Sequence, residues 1–340
     1  MNALRPLQNA WLYAVLVLSL TLPLLAIAKT ERPVADRPPI VRVLPLGLPT
    51  FPAPWYFQKA YVEFGEFLFF SELLSSNATS CATCHIPQKA FSGPPLESET
   101  TRDTPPLFNL AYTSVLMWDG RANSIESQVF LPLEGEHEMK IDWDTTLQQI
   151  SRTAAYSKFK TETSGRKEFA TKGDVIFPLS AYVASLVAGN SEFDKYQYGQ
   201  VALTESAERG LDVFRNRGKC ESCHDINGKF ALFSDSGLHS IALVKSHDAG
   251  RGLVTGIEAD NGQFKTPTLR NIFKTAPYGH NGSIADVRTV LEIYNRGGVD
   301  SAFETSGKIR QLGLTRDDIS DMEAFLRSLS SEIQSYRPWQ

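Results

Sequence analysis

The sequence predicts a mainly α-helical chain of two tandem domains with long loops, and three observations carry that expectation. A Cys-x-x-Cys-His motif occurs twice, at Cys81, Cys84 and His85 and at Cys220, Cys223 and His224, with the first cysteines 139 residues apart. An apolar stripe at helical spacing precedes each motif: Tyr61, Phe64, Leu68 and Phe69 before the first, Ala207, Leu211 and Phe214 before the second. Strand-like alternation is scarce along the whole chain.

Residues 1–28 read as an export signal, with Arg5 as the positive start, an apolar run over 11–28 and the small-residue ending Ala26-Ile27-Ala28. The run approaches the ~20 residues that span a bilayer, so a retained anchor is the alternative. Pro23 and the Ala-x-Ala ending favour cleavage, which gives a periplasmic protein with no membrane attachment. Residues 29–54 are proline-rich and form an extended lead-in. The N-terminal domain is expected over 55–195 and the C-terminal domain over 196–340, divided in the polar stretch at 190–200.

Thr204 caps the helix before the second motif, and Glu205 and Glu208 suit its positive end. Ser283 and Asp286 make a capping-box-like start for a helix with Val287, Val290, Leu291 and Tyr294 on one face, ended by Gly297 and Gly298. Thr315 and Asp318 open the last helix, whose apolar face is Ile319, Met322, Phe325, Leu326 and Leu329.

Among 340 residues, 42% are hydrophobic and 21% charged, an ordinary globular balance. The formal charge of −4 becomes more negative when Arg5 leaves with the signal. A mildly acidic surface does not draw nucleic acid or anionic membrane, and it is compatible with a basic redox partner.

All four cysteines lie in the two motifs, and each pair is followed at once by histidine. Two cysteines three apart can form thioethers along one haem edge, and the next residue then offers its imidazole to the iron. Local disulfides and a single four-cysteine zinc site are the alternatives, and both leave the two histidines unexplained. The fold class is therefore two tandem cytochrome c-type haem domains, carrying two covalently bound haem c.

The sixth iron position decides what each haem does, because methionine or histidine there closes the iron to small molecules. Beyond Met1 the chain has only Met117, Met139 and Met322, and no histidine lies between His85 and His137. An open first iron is expected. The second has His239, His247, His280 or Tyr294 available; simple core packing is the alternative role for Tyr294.

At this point the residues resemble a family. The runs TPPLFNLA, MWDGRANSIESQ and LPLEGEHEM within residues 103–144 are similar to those of the di-haem cytochrome c peroxidases and MauG-type enzymes. So are DAGRGLVTG, GQFKTPTLRN, TAPYGHNGS and DMEAFLRSL, and the resemblance spans residues 61 to 329. It implies that Glu138 is the distal acid-base residue over the first haem, Gln128 the distal glutamine, and Trp118 the tryptophan between the haems. Tyr294 falls where the peroxidases place methionine and MauG-type enzymes place tyrosine. Thr275 and Pro277 match the backbone ligands of an inter-haem calcium ion, and Asp103 stands where the family usually has asparagine. The resemblance also implies that peroxidases needing reductive activation carry a histidine capping the first haem, and this chain has none in that loop.

Hydrogen peroxide is thus the expected substrate, with Glu138 shuttling its proton and Gln128 orienting it. His137 is expected to face solvent, and His239 and His280 to serve haem carboxylates or water rather than iron. Three roles follow: MauG-like oxidation of a partner protein, peroxide detoxification with electrons from a small cytochrome or cupredoxin, or passive electron transfer. The family implies a homodimer.

Overall fold

The computed structural model describes residues 37–93, 102–164, 168–303 and 307–339; the export signal at 1–28 lies outside them. The first half contains helices α1 (Lys59–Phe70), α2 (Cys81–Cys84), α3 (Ile125–Glu134), α4 (Trp143–Ser151), α5 (Ala154–Thr163) and α6 (Gly173–Ser185). The second contains α7 (Glu192–Gln197), α8 (Glu205–Asp212), α9 (Arg251–Thr255), α10 (Val287–Arg296) and α11 (Arg316–Ser328). Strands are short: β1 (Ile40–Val41), β2 (Leu186–Ala188), β3 (Leu238–His239), β4 (Phe264–Lys265) and β5 (Ile333–Tyr336). Long loops join them, as expected for a mainly helical chain. Among the described residues no helix is long and apolar enough to cross a membrane.

Each half is built on the same helix crossing. In the first, α1 packs on α6 where Gly65 brings the backbones together: a Cβ there would stand 1.8 Å from the Pro178 carbonyl oxygen and 2.9 Å from the Tyr182 Cβ. In the second, α8 packs on α11 at Gly210, whose Cβ would stand 1.9 Å from the Asp321 oxygen and 2.9 Å from the Phe325 Cβ. A side chain at either glycine would force the helices apart. Phe69, Phe70 and Tyr182 fill the first core, and Phe214, Phe233 and Phe325 the second.

The caps follow local chemistry. Thr204 accepts from the Ala207 N–H at 3.2 Å, and Thr315 and Asp318 bond each other's backbone at 3.2 and 2.9 Å. At α10 the expected Ser283 and Asp286 pair is corrected: Asp286 alone caps, accepting from the Thr289 N–H at 2.8 Å. Ser283 lies three residues before that cap, in a turn where its N–H donates to the Asn281 side chain at 3.2 Å.

Strand β5 and the Arg270 bond to Gly47 are among the ties between the halves. Strand β5 runs back into the first half, antiparallel to β2 and parallel to β1, so Ile333 joins the first core. Arg270 and Asp194, both fully buried, form a two-bonded ion pair at 2.7 and 2.8 Å. The same guanidinium donates to the carbonyls of Ala231 at 2.8 Å and Gly47 at 3.3 Å, which fastens the lead-in to the second core. Removing one partner leaves a buried charge unpaired. Arg270→Met is expected to cost about 3–5 kcal/mol in chemical denaturation, with partial recovery when Asp194→Leu is added. Full stability of the single variant would show that the pair carries no such load.

Candidate functional site

The two histidines of the motifs are prepared in the same way. Cys81 and Cys84 bracket the single turn α2, and the His85 N–H closes onto the Cys81 carbonyl at 2.8 Å. Its Nδ1 lies 3.0 Å from the Phe91 carbonyl oxygen; a carbonyl only accepts, so Nδ1 carries the proton and Nε2 presents its lone pair. Burial pushes the imidazole down to about 4, so it stays neutral. The His224 N–H likewise meets the Cys220 carbonyl at 2.9 Å, and its Nδ1 lies 3.0 Å from the Phe233 carbonyl. Burial holds that imidazole below its ordinary range too.

A repeat that sequence reasoning missed supports both histidines. Thr104-Pro105-Pro106-Leu107-Phe108-Asn109 and Thr266-Pro267-Thr268-Leu269-Arg270-Asn271 share a Thr-Pro-x-Leu-x-Asn pattern. Pro105 stands against His85 and Pro267 against His224. Asn109 and Asn271 both take the left-handed conformation, with φ 57° at each. Asn109 then bonds both backbone groups of Ala188, and the Asn271 oxygen accepts from the Ser331 N–H at 2.8 Å.

These surroundings fit c-type haem. A cavity of about 440 Å³ is lined by Cys220, Cys223, His224, Leu291, Tyr294 and Met322, a size suited to a large cofactor. Burial raises the Cys81 and Cys220 thiols to about 12. The four cysteines are unpaired and sit in two separate halves, so they form neither disulfides nor one zinc site.

Trp118 stands on the wall between that cavity and a smaller one. Its indole N–H donates to the Asp103 carbonyl at 2.8 Å, and its own carbonyl accepts from the Lys265 N–H at 2.8 Å. The neighbouring Asp119 bonds Arg102 at 2.5 Å, and Arg102 also grips Asp248 at 2.6 and 2.9 Å, so the Trp118 loop is clamped to the second half. This clamp was also missed, although the Asp-Gly-Arg run beside Trp118 and the Asp-Ala-Gly-Arg run at Asp248 signalled it.

Gln128 lies on the first turn of α3, which Ser124 caps by accepting from the Ser127 N–H at 3.2 Å. Its side chain lines the smaller cavity with Trp118 and Met117, and its buried Oε1 has no hydrogen-bond partner among the described residues. Glu138 follows in a tight turn: its N–H donates to Gly135 at 3.1 Å, and its carbonyl accepts from Asn77 at 3.2 Å. Burial raises the Glu138 carboxyl above its ordinary range, against the pull of Arg121. His137 beside it is exposed, as expected for a solvent-facing neighbour.

For the second iron the structure narrows the field. His247 is exposed, and His239 has both ring nitrogens engaged, with Asp235 at 2.8 Å and Lys308 at 3.1 Å. His280 stacks on Phe264 with ring centres 3.8 Å apart and bonds Ser246 at 3.2 Å. Tyr294 is half-buried and lines the cavity of His224, and its hydroxyl makes no hydrogen bond among the described residues. Burial raises its pKa, with Cys220 and Cys223 the ionisable groups nearby. Asp103, Thr275 and Pro277 line the same cavity, and burial lifts the Asp103 carboxyl to about 7.

Two Cys-x-x-Cys-His turns with matching histidines, a large cavity at the second of them and a clamped tryptophan on its wall define a di-haem c-type oxidoreductase. The pattern described as di-haem cytochrome c peroxidase matches residues 59–202, and that of cytochrome c matches residues 207–330. A methylamine utilization protein MauG from Methylophilus methylotrophus is 34% identical, over 78% of this chain and 81% of its own. A cytochrome c551 peroxidase from Pseudomonas aeruginosa is 30% identical, over 79% and 78% of the two chains. The crystal structure of a MauG-like protein associated with microbial copper homeostasis superposes with a TM-score of 0.73 at 25% identity, covering 86% of this chain and 94% of that one. The chain belongs to the di-haem cytochrome c peroxidase and MauG family, and it is an oxidoreductase of the di-haem peroxidase kind.

Proposed function

We propose that this chain is a periplasmic di-haem peroxidase of the MauG-like kind, which draws oxidising equivalents from hydrogen peroxide and directs them to a partner protein. The observation that carries the reading is Tyr294, a half-buried phenol that lines the cavity of His224 and Cys223. Phenolate ligation favours oxidised iron, which suits a centre that must hold oxidising equivalents.

Haem c, attached through Cys81 and Cys84 and through Cys220 and Cys223, supplies the redox-active iron. His85 and His224 would hold the iron, each ring being fixed by a carbonyl on its Nδ1. Glu138 would take the proton from one peroxide oxygen and hand it to the other, readying the O–O bond for cleavage with the two electrons that haem would supply. Gln128 orients the peroxide through its free amide oxygen and its NH₂ group. Trp118 connects the two pockets electronically. An inter-haem calcium ion would be held by Asp103 with the backbone carbonyls of Thr275 and Pro277. Homodimer formation is part of the same reading.

The relatives named cytochrome c peroxidases favour a second reading, peroxide removal with electrons from a small redox protein. Stoichiometric peroxide added to the resting ferric protein separates the two. A persistent spectral change that takes up two reducing equivalents on back-titration is expected without prior reduction. No reaction until one haem has been reduced would overturn the MauG-like reading in favour of the second.

A further inference from the structure

Trp118 is held at both ends by one closed circuit of contacts, and two rings that the roles above do not use complete it. At one end the indole N–H donates to the Asp103 carbonyl at 2.8 Å, and the Asp103 N–H donates in turn to the His280 carbonyl at 2.8 Å. At the other end the Trp118 carbonyl accepts from the Lys265 N–H at 2.8 Å, and Lys265 follows Phe264 in β4. The Phe264 and His280 rings lie face to face, 3.8 Å between centres and 7° from parallel, and so join the two ends.

The stack is itself confined. The Arg102 guanidinium lies 5.7 Å from the Phe264 ring centre, and a Cβ on Gly250 would stand 2.9 Å from the Cζ of that ring. His280 is buried, and its Nε2 bonds the Ser246 Oγ at 3.2 Å, which resists rotation of the imidazole. Burial pushes that imidazole down to about 4, so it meets the phenyl ring as a neutral partner. Two parallel rings in contact hold the backbones of Phe264 and His280 at a fixed separation. Removing one ring opens a gap that the backbones relax into, and the hydrogen bonds to Trp118 shift with them.

We propose that the Phe264–His280 stack positions Trp118: it closes the circuit that fixes the indole at both ends, and so sets how readily an electron passes between the two haem centres. The second part rests on the reading of Trp118 as the electronic connection. One electron leaves one centre and arrives at the other, and neither Phe264 nor His280 changes charge. Both act through Trp118 and are positioning residues, not catalytic ones.

The test is ultraviolet resonance Raman of the holoprotein, with each protein compared with its own Trp118→Phe counterpart so that this one indole among five tryptophans is read. Phe264→Leu is expected to keep two haems and to move the hydrogen-bond-sensitive indole band toward that of an unbonded N–H, while Phe264→Tyr, which keeps the ring, restores it. An unmoved band in Phe264→Leu would overturn the positioning role. Both rings also line the cavity of His224, and a band change at Trp118 is what a role confined to that cavity would not produce. Electron exchange between the haems, followed in the half-reduced protein after photolysis of carbon monoxide, is expected to slow in Phe264→Leu toward the rate in Trp118→Phe. Slowing in Trp118→Phe alone would overturn the proposal. A moved band with equal rates in all three proteins would support the positioning and overturn the reading of Trp118 as the connection. If Phe264→Leu does not hold both haems, His280→Gln removes the other ring, keeps a polar group toward Ser246, and is judged by the same band.

Discussion

Glu138→Gln should slow peroxide consumption by about 10²–10⁴-fold while leaving both haems attached, if Glu138 has the proposed role of moving the peroxide proton. Glutamine keeps the size of the side chain, and the turn is held without the carboxylate: the Glu138 N–H donates to Gly135 at 3.1 Å, the Met139 N–H to Pro132 at 3.1 Å, and the Asn77 side-chain amide to the Glu138 carbonyl at 3.2 Å. The loss is therefore chemical and not structural. A pH signature goes with it. Burial raises the Glu138 carboxyl above its ordinary range, and the ionised form is the base. The rate should fall as pH drops through that raised value, and the fall should be absent in Glu138→Gln. Stopped-flow absorbance of the ferric protein against peroxide reads both effects. Equal rates in the two proteins would remove Glu138 from the reaction.

Cys81→Ala combined with Cys84→Ala should leave one haem per chain and bring peroxide consumption down to background. The corresponding change at Cys220 and Cys223 should also leave one haem, but one that still binds carbon monoxide when reduced. The asymmetry follows from the surroundings. The first half carries Gln128, which lines the smaller cavity, and Glu138, while His137 between His85 and the second motif is exposed. The second contains Tyr294 among apolar side chains. Haem counting and carbon monoxide difference spectra on the two double variants check this. Loss of carbon monoxide binding from the Cys220 and Cys223 variant, with one haem still bound, would contradict the division of labour.

Much of the architecture was legible because its signals are local. The stripe of Tyr61, Phe64, Leu68 and Phe69 became α1, and the caps at Thr204 and Thr315 opened α8 and α11 as their side-chain chemistry requires. Helix α6 was not legible. It is apolar on nearly every side and contains Pro178, so it lacks the polar face that marks a helix in sequence. The return of β5 to the first half was equally hidden, since pairing over such a separation leaves no local trace. At the site, the two motifs and their histidines could be read from spacing. The resemblance brought Glu138, Gln128, Trp118 and Tyr294 into view, whereas spacing alone left Tyr294 as core. Ser283 misled because it has the chemistry of a cap but stands before the first turn.

The resting ferric holoprotein, examined by electron paramagnetic resonance at low temperature, tests the central assignment most directly. One high-spin signal from a five-coordinate centre and one low-spin signal from a histidine–tyrosinate centre are expected, the second altered in Tyr294→Met. Two low-spin signals, each with nitrogen or sulfur on both sides and neither changed by added peroxide, would contradict it.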